Sequence, residues 1–173
     1  NAGKVYLFHG GAGGLAGSAA WSATGENAED KFGASLAGGG DVNGDGFADL
    51  VVGAKYYSTS TGKIYVFHGS ASGLTGTATS PAWSAEGQNT SDQFGSALAA
   101  VGDVNGDGFT DLAASAYGNS GNAGKVYVFH GSASGLTGTS AGPAWSATGE
   151  NTSNYFGNSV AGTGDVNGDG FAD

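Results

Sequence analysis

A nine-residue stretch occurs three times: DVNGDGFAD at 41–49, DVNGDGFTD at 103–111 and DVNGDGFAD at 165–173. In the first copy Asp41, Asn43 and Asp45 place side-chain oxygens at alternate positions, Gly46 follows, and Asp49 lies four residues beyond Asp45. Hard dications take six to eight oxygen ligands, and alternate residues of a tightly turning loop point toward one centre. Gly46 permits the sharp turn by accepting positive φ, which leaves the Phe47 carbonyl free to face an ion. The expected ligands are therefore Asp41, Asn43, Asp45, Asp49 and the Phe47 carbonyl. The same roles fall to Asp103, Asn105, Asp107, Phe109 and Asp111, and to Asp165, Asn167, Asp169, Phe171 and Asp173. A compact cage with several carboxylates suits Ca2+ better than Mg2+, which keeps most of its water. Three carboxylates packed this closely repel one another unless a cation neutralises them. With up to three Ca2+ per chain, six positive charges set against the formal −10 leave −4.

The first six residues of each copy also satisfy the start of an EF-hand loop. That reading needs a bidentate Glu at position 12, where Val52 and Ala114 stand, and it needs flanking helices. Asp49 is instead followed at once by the apolar run LVVGA, so the loop is expected to close on itself and feed a strand. A metal-free Asp/Asn-rich turn is the plainer alternative, since DG and NG are common turn formers. Three copies that hold every ligand position while position 8 varies between Ala and Thr favour the metal loop.

The acids point to cations more generally. Fifteen Asp and Glu stand against five Lys, and nine of the fifteen lie inside the three loops. That balance excludes a basic nucleic-acid surface and disfavours anionic membranes. No apolar run approaches the roughly 20 residues of a membrane helix, and NAGKVYLFHG does not read as a signal peptide, so a mature or excised segment without membrane insertion is expected. Cys is absent, which removes disulfides and thiolate metal sites.

The elements that position the loops follow from the period. Asp41, Asp103 and Asp165 are 62 residues apart, as are Trp21, Trp83 and Trp145, whereas His9 to His68 is 59. One period contains four short strand-like segments, GSALAAVG (95–102), DLAASAY (111–117), GKVYVFHG (124–131) and PAWSATG (143–149), separated by Gly, Ser, Asn and Thr. VYVF and IYVF are β-branched and aromatic on both faces, which suits a strand buried between two sheets. Four strands per period with Gly at the turns is the pattern of propeller blades. The expectation is an all-β propeller built of four-stranded antiparallel blades, about three blades of sequence, in a ring that one chain does not close. Residues 1–31 would hold strands three and four of a first blade, 32–93 and 94–155 two complete blades with loops 41–49 and 103–111, and 156–173 the first strand and loop of a split blade.

Phe32-Gly33 followed by SLAGGGDVNGDGFADLVVGA (35–54) resembles the FG-GAP repeat of integrin α-subunit propellers and of related extracellular proteins. The chain departs from that pattern at Lys55, where the family has Pro, and at ASAY (114–117), where it has GAP. The resemblance implies a calcium loop between the first and second strands of a blade, and an extracellular or cell-surface module for binding or adhesion with structural calcium. It leaves open a protein or a glycan as ligand. Two alternatives stand beside it. One is a lectin binding glycans between blades, with Trp21, Trp83 and Trp145 as stacking surfaces; the other is a self-assembling repeat protein whose split blades are completed in a homo-oligomer. His9, His68 and His130 recur once per unit in FHG and read as structural. Asn89-Thr90-Ser91 and Asn151-Thr152-Ser153 match the glycosylation acceptor pattern. No GxSxG, HExxH or P-loop occurs, and the chain is not expected to be an enzyme.

Overall fold

A computed structural model describes residues 1–173. The strands are β1 (Lys4–Leu7), β2 (Gly10–Gly11), β3 (Gly14–Leu15), β4 (Trp21–Thr24), β5 (Phe32–Gly40), β6 (Asp49–Ala54), β7 (Lys63–Phe67), β8 (Trp83–Glu86), β9 (Phe94–Gly102), β10 (Asp111–Ala116), β11 (Lys125–Phe129) and β12 (Trp145–Thr148). They form two complete antiparallel sheets, ordered β5-β6-β7-β8 and β9-β10-β11-β12, and two-stranded pairs β1-β4 and β2-β3. The chain is all-β, its sheets are four-stranded blades, and no sheet closes on itself. The four segments read from the sequence between 95 and 149 coincide with β9 to β12.

The apolar runs behave as double-faced strands. In β6 and β7, Val52, Ala54, Tyr65 and Phe67 face the first blade and pack with Val5, Ala23 and Phe32. Their neighbours in sequence, Val51, Ile64 and Val66, point the opposite way and pack with Leu98, Leu112, Tyr127 and Phe129 of the next blade. Period-two alternation with both faces apolar is what a sheet clamped between two sheets requires. The core is thus a series of layers between blades, and each complete blade depends on its neighbours.

Two features set the approach of the blades. Gly53 lies so close to the backbone of Gly95 that a β-carbon there would collide with the Gly95 carbonyl, and the Ser35 hydroxyl donates to that carbonyl at 2.6 Å. The N–H of Phe94 donates to the Thr61 carbonyl at 3.0 Å, as Phe32 does to Ala2 and Phe156 to Ala123, so the start of each unit is pinned to the residues that lead into the third strand of the unit before it.

Two short helical turns, α1 (Tyr57–Ser60) and α2 (Asn119–Asn122), join the second and third strands, where no helical period or cap is present in the sequence. They are left-handed at their centres: Ser58 and Thr59 have φ of 47° and 58°, and Ser120 has φ of 52°. Residues 156–173 were expected to include a strand, and none forms there. Gly162 nevertheless lies against Ala100 and Val101 of β9, beside the strand it would accompany. β5 and β9 owe their ladders to β6 and β10, and residues 156–173 meet no such partner.

Candidate metal centre

The first two loops leave the end of one strand and enter the next: Asp41 follows β5 and Asp49 opens β6, while Asp103 follows β9 and Asp111 opens β10. The loop wraps its backbone around its first aspartate. Asp41 Oδ1 accepts the N–H groups of Gly44 at 2.7 Å and Asp45 at 3.2 Å, and Oδ2 accepts that of Gly46 at 2.8 Å. Asp103 receives Gly106, Asp107 and Gly108 in the same way, and Asp165 receives Gly168, Asp169 and Gly170. Gly44 and Gly46 sit at φ of 71° and 88°, which turns consecutive N–H groups inward.

The middle of the loop is knitted by its amide. Asn43 donates from Nδ2 to Asp45 Oδ2 at 2.9 Å and accepts the Asp45 N–H on Oδ1 at 3.2 Å. Asp45 Oδ1 takes the Phe47 N–H at 2.9 Å, and that hydrogen bond is the main cause holding its carboxyl below the usual range. The Gly170 N–H does the same for Asp165. At Asp103 desolvation pushes upward, but the N–H groups of Gly108, Gly106 and Asp107 together outweigh it and the carboxyl is held low.

Asp49 has a task that the sequence did not reveal. It is buried, and its two oxygens accept the N–H of Val42 at 2.8 Å and the N–H of Gly69 at 2.8 Å. Asp111 holds Val104 at 2.9 Å and Gly131 at 2.8 Å. One carboxylate therefore fastens the start of its own loop to the end of the third strand of the blade. Burial pushes both carboxyls above the ordinary aspartate range, opposed by these N–H groups. Asp173 holds Val166 at 2.9 Å and is exposed.

As folded, no three His, Cys, Asp or Glu side chains close on a common point. The donor chemistry still suits a hard cation. Every side-chain donor is oxygen, Asp41, Asn43 and Asp45 are bonded to one loop backbone, and a carboxylate offers about four lone-pair positions. Asp41 uses three of these and Asp45 two.

The other recurring residues pack between blades. Trp21 meets Phe67 edge-on at 4.9 Å between ring centroids, and Trp83 meets Phe129 at 5.5 Å. The rings of His9 and His68 face Gly73 and Gly135 of the following blade, where a β-carbon would lie against the imidazole. Loops stack too: the Phe109 ring covers Gly44 and the Phe171 ring covers Gly106.

Blades of four antiparallel strands, each entered through an acidic glycine-rich loop between its first two strands, define a propeller-type repeat. Residues 32–67 and 94–129 match the model of the FG-GAP repeat, and the chain belongs to the FG-GAP repeat family. It is similar to integrin alpha pat-2 of Caenorhabditis briggsae, with 39% identity over 123 residues that are 70% of this chain and 10% of that protein. It is also similar to integrin alpha-PS2 of Drosophila melanogaster, at 38% over 123 residues, 63% of this chain and 8% of the relative. With integrin alpha-4 of Xenopus laevis the identity is 30% over 168 residues, 88% of this chain and 15% of the relative. The chain spans about a tenth of the length of the curated relatives it matches. No helix in it is long and apolar enough to cross a membrane.

Proposed function

We propose that the chain is a calcium-binding extracellular module of the integrin-α type, which binds or adheres to a protein ligand and uses calcium structurally. The carrying observation is the position of the loops. Loops 41–49 and 103–111 each join the first two strands of a blade and, through Asp49 or Asp111, the end of the third. Oxygens of Asp41, Asn43, Asp45 and Asp49 with the Phe47 carbonyl would hold the ion in the first loop, with the equivalent residues in the other two. A bound dication there would neutralise clustered carboxylates, so that its binding free energy adds to folding stability. The integrin α relatives support the adhesive reading and the cell-surface location.

We read the module as non-catalytic, because each loop acid is occupied with its own backbone N–H donors. Trp21 and Trp83 are spent on Phe67 and Phe129, so nothing here favours stacked sugars over a protein ligand. Thermal unfolding in EDTA and in calcium tests the proposal. At calcium a hundredfold above Kd the stabilisation is about 2.7 kcal/mol per site, or roughly 5–11 °C in a chain of this size. Identical melting curves in the two conditions would refute it.

A further inference from the structure

Eleven asparagines occur in the chain, and three of them, Asn43, Asn105 and Asn167, are followed by glycine; each stands at the third position of a loop. In such a pair the backbone nitrogen of the glycine can reach the side-chain carbon of the asparagine, because no β-carbon crowds the approach. The fold brings the two atoms together. The Asp45 N–H donates to Asn43 Oδ1 at 3.2 Å, and this bond closes a ring of atoms that holds both the Asn43 Cγ and the Gly44 nitrogen. The Gly44 N–H donates to Asp41 Oδ1 at 2.7 Å, and Asn43 Nδ2 donates to Asp45 Oδ2 at 2.9 Å. Asn105-Gly106 repeats the three bonds at 3.0, 2.7 and 2.9 Å. Asn167-Gly168 repeats the first two, at 2.9 and 2.6 Å. In each loop the nucleophilic nitrogen has an acceptor for its proton, and the amide carbonyl has a donor on its oxygen.

We infer that Asn43 and Asn105 are sites of self-modification, deamidating through a cyclic imide faster in the folded loop than in the unfolded chain. The Gly44 nitrogen attacks the Asn43 Cγ as its proton passes to the Asp41 carboxylate, and the Asp45 N–H stabilises the negative charge that gathers on Oδ1. The Cγ–Nδ2 bond then breaks. The released nitrogen takes a proton from solvent and leaves as ammonia, while Asp41 returns its own proton to solvent. Water next opens the imide at one of its two carbonyls and gives a proton back to the Gly44 nitrogen. Attack at Cγ breaks the new bond and leaves an aspartyl residue at position 43 in an ordinary main chain. Attack at the main-chain carbonyl leaves an isoaspartyl residue, joined to Gly44 through Cγ. Nothing is oxidised or reduced, and water is the sole co-reactant. Gly44 is exposed and Asn43 half-buried, so water reaches the site.

The product changes the loop. Asp45 Oδ2 loses the amide that donated to it and meets a new carboxylate, which repels it. An isoaspartyl link also lengthens the main chain by one methylene just before Gly44, whose α-carbon lies so close under the Phe109 ring that a β-carbon would collide with it. The stacking of one loop on the next is therefore the contact that the modification disturbs. Gly106 stands in the same relation to Phe171.

The test follows the 173-residue chain in warm neutral buffer, folded or unfolded in urea, with EDTA throughout so that no ion competes for these oxygens. Peptide mapping by mass spectrometry reads the exchange of NH2 for OH at each asparagine, and isoaspartyl methyltransferase labels the rearranged product. Asn43 and Asn105 should convert about tenfold faster, or more, in the folded chain than in urea. Asn27 and Asn89, followed by Ala and Thr, should convert far more slowly in both. In Asp41→Asn the rate at Asn43 should fall to its value in urea while Asn105 of the same molecule keeps its own rate, which also shows that the neighbouring loop remains folded. Asp103→Asn should slow Asn105 alone. Equal or slower conversion in the folded chain would overturn the proposal, because the hydrogen bonds would then shield the amide. An unchanged rate at Asn43 in Asp41→Asn, or loss of both rates together in both variants, would overturn the role of each aspartate within its own loop.

Discussion

Asp49 is a sharp place to test how the blades are held, because in chelator its effect is separable from any metal. Asp49→Ala removes the acceptor for two buried N–H groups, those of Val42 and Gly69. A buried donor left without a partner costs about 1–3 kcal/mol, so the pair amounts to about 2–6 kcal/mol. Part of this is offset, since burial already penalises the carboxylate and has raised its pKa. The expected net loss is about 3 kcal/mol, or roughly 6–12 °C in melting temperature. Asp49→Asn should lose nearly as much, because an amide can meet one N–H with its oxygen but turns an NH2 toward the other. Asp173→Ala is the control: that residue is exposed and its side-chain carboxylate accepts only the Val166 N–H, so its loss should stay below about 0.5 kcal/mol. The assay is urea unfolding followed by circular dichroism, with every protein in EDTA so that calcium affinity does not enter. A loss of under 1 kcal/mol for Asp49→Ala would refute the reading of this carboxylate as a latch between loop and third strand.

Other consequences concern the joints between blades. Glu26→Gln removes the charge that pairs with Lys63 at 2.8 Å and leaves Tyr65 only a neutral amide oxygen as acceptor, and should cost about 1 kcal/mol, read from urea midpoints. Desolvation raises the Glu26 pKa, but the hydrogen bonds from Lys63 and Tyr65 outweigh it and the net shift is downward. Its contribution is thus complete above the unfolded glutamate value of about 4.3 and lost as pH falls through the lower folded value, so wild type and Glu26→Gln should converge in stability in strong acid. Gln88→Glu should do the reverse at the second joint, giving Tyr127 and Lys125 an acid and raising stability by about 1 kcal/mol at neutral pH; an unchanged urea midpoint would count against the equivalence of the two joints.

The fold was legible where the sequence repeats a physical constraint. Segments such as KIYVF, apolar on both faces, have few uses other than a strand held between two sheets, and the period set one such segment among four strand-like segments in each unit. The recurrence of FHG once per period marked its histidine as structural, and His9 and His68 do pack against glycines of the following blade. The turns at 57–60 and 119–122 were not legible, because Ser58, Thr59 and Ser120 have no intrinsic preference for positive φ and are held there by the flanking strands. At the loops, residue types and spacing gave the candidate donors but not the second duty of Asp49 and Asp111. That duty depends on Gly69 and Gly131, each 20 residues further along the chain, whose N–H groups arrive only when the blade is assembled. The missing strand in 156–173 has a similar origin: a ladder needs a partner, and no local pattern supplies one.

Calorimetric titration of calcium into the chelator-treated chain tests the central claim most directly. The account predicts saturable binding at loops 41–49 and 103–111 at the least, with the heat for the first loop abolished by Asp41→Asn together with Asp45→Asn while circular dichroism shows the blades intact. Absence of calcium heat from the folded wild type, with magnesium and manganese equally silent, would contradict it.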